Sequence, residues 1–70
     1  MCQLTIRDNY FIESEYTEDG RFKVQIQELK GLNGTFTYTF KIIRQASGQQ
    51  DSLIDDAIFW HEQIREDYVR

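Results

Sequence analysis

Residues 51–70 read DSLIDDAIFWHEQIREDYVR, the one stretch of the chain with a helical period. At 3.6 residues per turn, Leu53, Ala57, Trp60, Ile64 and Tyr68 fall along one stripe, flanked by Ile54, Ile58 and His61. Ser52 stands where a cap belongs, with Asp55 three residues on as a short capping box. Asp51, Asp55 and Asp56 suit the positive end of the helix dipole, and Arg65 and Arg70 the negative end. The pattern predicts a helix over 51–70 that packs through its stripe, with Trp60 as the anchor. Phe59 breaks the pattern: it falls on the far side, among Asp55, Asp56, Glu62, Gln63 and Glu66.

Upstream of this helix the period changes from 3.6 to 2. Gln45–Gln50 is a polar loop. Before it, Thr35–Arg44 sets Phe36, Tyr38, Phe40 and Ile42 against Thr35, Thr37, Thr39 and Lys41, as in a half-buried strand. Arg21–Leu29 alternates as strongly, with Phe22, Val24 and Ile26 inward and Lys23, Gln25 and Gln27 outward. Tyr10–Thr17 and Met1–Arg7 complete four runs; in the latter Cys2, Leu4 and Ile6 share one face and Gln3, Thr5 and Arg7 the other. Asp8-Asn9, Glu18-Asp19-Gly20 and Gly31-Leu32-Asn33-Gly34 are the turns between them.

Parity fixes the pairing. A two-residue Asn33-Gly34 turn would oppose even with odd residues and mix the faces, so a longer loop, of three or five residues, is expected, leaving Phe22, Val24 and Ile26 on the face of Phe36–Ile42. A three-residue Glu18-Asp19-Gly20 loop, with Gly20 at positive φ, likewise turns Tyr10, Ile12, Ser14 and Tyr16 inward. The two-residue alternative would bury Glu13 and Glu15. The expected fold is α+β: a four-stranded antiparallel β-meander followed by one C-terminal helix on one face, ββββα, in a single small domain spanning 1–70. The opposite sheet face, rich in Thr, Gln and Lys, is free to meet water.

Seventy residues bury a thin core, which favours added burial through a partner or a second copy. The net charge of −4 is unevenly spread. Acids and bases balance over residues 1–50, while 51–70 hold six acids and two bases, so the excess sits on the helix. Such a helix repels nucleic acid and anionic membrane and attracts a basic protein surface. No apolar run approaches a membrane span. Lone Cys2 forms no internal disulfide, and no charged stretch leads into an apolar one, so a cytoplasmic setting is the expectation.

Catalytic and cofactor chemistry finds few parts here. One Cys and one His are too few for the usual zinc site. Cys2 and His61 lack a cleft that would join them, and no glycine-rich loop opens the helix onto a phosphate. No metal, cofactor or catalytic residue is expected. His61, at the edge of the stripe, reads as a boundary histidine with a structural hydrogen bond, and Ser14 is its expected neighbour.

The stretch Glu18-Asp19-Gly20-Arg21-Phe22-Lys23-Val24-Gln25-Ile26-Gln27-Glu28-Leu29-Lys30-Gly31 resembles the acidic-Gly turn, alternating strand and Leu-x-Gly exit of HicB-type antitoxins over 14 of the 70 residues. The resemblance implies a small α/β domain that covers a toxin nuclease by protein contact. Small acidic inhibitors of nucleic-acid enzymes, of the sort phages and mobile elements carry, share this size and charge. The function expected is a non-catalytic protein-binding module, an inhibitor or adaptor that occludes a basic surface of its partner. Phe59, Asp55, Asp56, Glu62 and Glu66 are the expected partner-binding residues. Self-association through an edge strand or the Thr-rich face, giving a homodimer, is also expected. The alternative is a nucleic-acid-binding domain using Arg21, Lys23 and Lys41 on the open sheet face.

Overall fold

The computed structural model describes residues 2–68. In chain order it holds β1 (Gln3–Arg7), β2 (Tyr10–Tyr16), β3 (Arg21–Glu28), β4 (Thr35–Lys41) and α1 (Gln49–Tyr68). The strands form one antiparallel sheet, β1-β2-β3-β4, with α1 packed on it, which is the ββββα arrangement that the alternation predicts. Met1, Val69 and Arg70, which the expected strand and helix include, lie outside the described residues.

The turns set the faces. The Thr17 amide donates to the Arg21 carbonyl at 2.7 Å across the three-residue turn, and Gly20 sits at φ 80°, where a side chain would strain the backbone. Tyr16 therefore opposes Phe22, Ser14 opposes Val24, and Ile12 opposes Ile26. The longer loop after β3 preserves the same parity, so Val24 opposes Tyr38 and Ile26 opposes Phe36. Across β2, β3 and β4 one sheet face is thus mainly apolar, with Ser14 and Glu28 as its buried polar members. With Ile54 and Ala57 of α1 it encloses the core of Tyr10, Ile12, Phe22, Val24, Ile26 and Tyr38.

The β1 strand turns its apolar side outward. Asp8-Asn9 is a two-residue turn, with Asp8 in the left-handed region at φ 50°, so Arg7 pairs with Tyr10 and odd residues meet even ones. Leu4 opposes Glu13 and Ile6 opposes Phe11 on the outer face, 60% and 65% exposed, while Gln3, Thr5 and Arg7 share the helix side. A register shift of one residue exchanges every face of a strand. Beside this turn Asn9 ties the start of β2 to the end of β3: its side-chain oxygen accepts from the Lys30 amide at 3.0 Å and its carbonyl from the Leu29 amide at 2.8 Å.

The helix also departs from expectation, in start and in rotation. It begins at Gln49, so Ser52 lies inside the first turn, its amide 3.5 Å from the Gly48 carbonyl, and does not cap it. The entry is closed by Gln49, whose amide donates to the Ala46 carbonyl at 3.2 Å and whose side chain accepts from the Ala46 amide at 3.3 Å. The buried line is Ile54, Ala57 and His61, continued by half-buried Arg65. Trp60 stacks on Phe40 with centroids 5.2 Å apart, yet 47% of it stays exposed, so His61 and not Trp60 is the anchor. The cause of the rotation is polar: β3 carries a carboxylate on the core face, and α1 turns its histidine and arginine toward it.

Candidate protein-binding surface

The even parity of β3 runs one step past Ile26 and brings Glu28 to the core face, 7% exposed. A buried carboxylate must be paired and hydrogen-bonded. His61 Nε2 donates to Glu28 Oε2 at 2.8 Å, and Arg65 Nε lies 3.0 Å from both carboxylate oxygens. The Leu32 amide donates to Oε1 at 3.2 Å. With Nε2–H directed at the carboxylate, Nδ1 is the ring atom that pairs with the Tyr38 hydroxyl, at 2.8 Å. Tyr10 and Phe36 stand edge-on to the imidazole at 5.4 and 4.9 Å. Burial alone would push the Glu28 carboxyl up, but the bonds from Arg65, His61 and the Leu32 amide together hold it below its ordinary value.

The ring has no exposed surface and both its nitrogens are taken, so this cluster latches α1 to the sheet. Gly31, at φ +128°, makes room for it: a Cβ there would collide with Glu28 Oε1 and stand 3.1 Å from Arg65 Nη2. Ser14 is buried on the expected face, but the partners of His61 are Glu28 and Tyr38. Glu28 was legible in principle. It continues the inward parity of β3, and His61 and Arg65, four residues apart, share one helix face.

The latch leaves the opposite face of α1 to solvent. Phe59 is 60% exposed there, and Asp56, Glu62 and Glu66 are exposed around it. Asp55 stands apart from them in one respect: Arg7 of β1 pairs with it and lies 3.7 Å from Asp51, so one end of the acidic face is partly neutralised. Glu62 borders Tyr10, whose hydroxyl is pushed up by burial and then by the Glu62 and Glu28 charges. All five expected residues therefore lie on exposed surface of one helix, with Phe59, Asp56 and Glu66 farthest from the sheet.

On the outer sheet face, Lys23 pairs with Glu15 at 3.0 Å and Arg21 with Asp19 at 3.4 Å. Of the three bases there, only Lys41 has no acidic partner among the described residues. Among those residues no group of three His, Cys, Asp or Glu side chains is placed to hold a metal, and no helix is long and apolar enough to cross a membrane. No protein-family model, curated protein or solved structure matches this chain.

Proposed function

We propose that this chain is a non-catalytic protein-binding module that docks the outward face of α1 on a basic surface of a protein partner, such as a nucleic-acid enzyme, and occludes it. The observation that carries the reading is Phe59, a 60% exposed aromatic on a helix already held by its other face and surrounded by the acids that give the chain its net charge. Aromatic side chains are the commonest interface anchors. Acidic surroundings steer a basic partner in before the ring seats in an apolar pocket. The resemblance to HicB-type antitoxins and the size and charge typical of phage-borne inhibitors point the same way, and an exposed, lone Cys2 fits a reducing, cytoplasmic setting.

The reading includes self-association, since among the described residues the open sheet leaves β1 and β4 each with an unpaired edge. The test is capture of the partner by the immobilised chain, then titration of that partner against Phe59→Ala. Retention on nucleic acid at low salt, falling steeply as salt rises, would favour the alternative of a nucleic-acid-binding sheet face.

A further inference from the structure

The rotation of α1 leaves Trp60, Ile64 and Tyr68, spaced four residues apart, as an apolar ridge 47%, 40% and 66% exposed. The ridge belongs to β4: Trp60 stacks on Phe40, and Tyr68 meets Phe36 edge-on at 5.8 Å. Beside it runs the bare edge of β4, an outermost strand of the sheet. An apolar helix flank next to unpaired backbone donors and acceptors is a surface that a further strand and helix would complete.

We propose that the occupant is a second copy of this chain, joined β4 to β4 about a two-fold axis through Tyr38, so that two four-stranded sheets become one of eight strands. This rests on the self-association reading and names its surface. Tyr38 is the middle residue of the seven in β4, so this register pairs the whole strand with its copy. Phe36 then opposes Phe40 of the second copy, Thr37 opposes Thr39, and Thr35 opposes Lys41. Aromatic meets aromatic on the helix side, threonine meets threonine outside, and no lysine faces its own copy.

The helices fit as well. Because α1 contacts both β3 and β4, the two-fold axis places the two helices about two strand spacings apart, roughly 10 Å. Packed helices stand about 8–10 Å apart, so the two ridges meet. The contact covers the ridge, the strand edge and parts of Phe36 and Phe40, on the order of 500–600 Å² per copy against the roughly 800 Å² of a standard interface. Such an area suits a weak dimer that fills at micromolar concentrations and above. The β1 edge offers less: its helix side shows Gln3, Thr5 and Arg7, and Arg7 is engaged with Asp51 and Asp55. Each copy carries −4, so added salt strengthens this association, the reverse of its effect on a basic partner.

The experiment combines sedimentation with cross-linking. Thr37→Cys and Thr39→Cys are made separately in a Cys2→Ser background, and each is oxidised alone and as an equal mixture. In the proposed register Thr37 faces Thr39, whereas each is offset from its own copy beyond the roughly 7 Å Cα separation that a disulfide spans. The parent chain should show a monomer–dimer equilibrium that salt strengthens, and disulfide-linked dimer should form in the mixture and far less in either variant alone. Ile64→Glu should weaken dimerisation by about tenfold or more with an unchanged circular dichroism spectrum. A dimer that cross-links equally in all three samples, or in none, would overturn the β4 surface and leave self-association standing. A monomer at every concentration up to submillimolar would overturn both.

Discussion

Replacing Glu28 with Gln is the sharpest perturbation of this fold, because it keeps the shape of the side chain and removes the charge on which the latch converges. The parent carboxylate serves His61 Nε2, Arg65 Nε and the Leu32 amide. An amide has one acceptor oxygen, so its NH2 group must face either the imidazole N–H or the guanidinium. Arg65 is about one-third exposed and can turn to water, which limits its share of the loss. His61 has no exposed surface and cannot do so. One buried donor left unpaired costs about 1–3 kcal/mol, and losing the charge assistance of the remaining bonds adds about 1 kcal/mol more. A total of about 2–4 kcal/mol corresponds to a drop in Tm of roughly 10–25 °C for a domain of this size.

Thermal melts followed by circular dichroism at neutral pH would measure that drop, and the same melts in acid give an independent check. The folded pKa of Glu28 is lowered from 4.5, so the stability it adds is complete above that value and is lost as pH falls through the lower folded one. The gap between parent and Glu28→Gln should therefore be widest near neutrality and close in acid. A variant melting within about 3 °C of the parent at neutral pH would refute the claim that this latch holds the helix.

Gly31→Ala should destabilise by about 2 kcal/mol or more, seen as a lowered urea midpoint, because the new Cβ meets Glu28 and the backbone sits at φ +128°. Trp60→Ala should lose only about 1.5–2.5 kcal/mol in the same assay, roughly half the cost of truncating a fully buried tryptophan, since 47% of the side chain is already in water. In alkali, Tyr10 and Tyr38 have folded pKa values raised above 10.0, by burial first and then by nearby carboxylates. The stability they add is complete below pH 10 and lost as pH rises through the folded values, so the urea midpoint should fall above about pH 10 and show no such fall below it.

The sheet was legible because its signals are redundant. In β3 and β4 both strands alternate strongly, and only a loop longer than the two-residue Asn33-Gly34 turn keeps their apolar faces together, the parity that the pairing of Ile26 with Phe36 shows. In β1 the signals conflict. The alternation of Leu4 and Ile6 suggests an inward face, while the two-residue Asp8-Asn9 turn sends both outward, and the turn prevails because it sets the backbone pairing. The helix was legible in existence but not in rotation. Hydrophobic spacing centres its stripe on Trp60, and only the demand of a carboxylate on another element, Glu28, moves the centre to His61. The surface residues around Phe59 follow from the helical period alone, since a residue about half a turn from the buried line faces water under either rotation.

The most direct measurement is the affinity of the captured partner for the parent chain and for Phe59→Ala, taken across a salt series with both proteins shown to be folded. Docking through the outward face of α1 predicts that Phe59→Ala weakens binding by about 2 kcal/mol, some 30-fold, and that Glu62→Lys with Glu66→Lys mainly slows association, less so as salt rises. An unchanged Kd for Phe59→Ala, with association indifferent to Glu62 and Glu66, would contradict it.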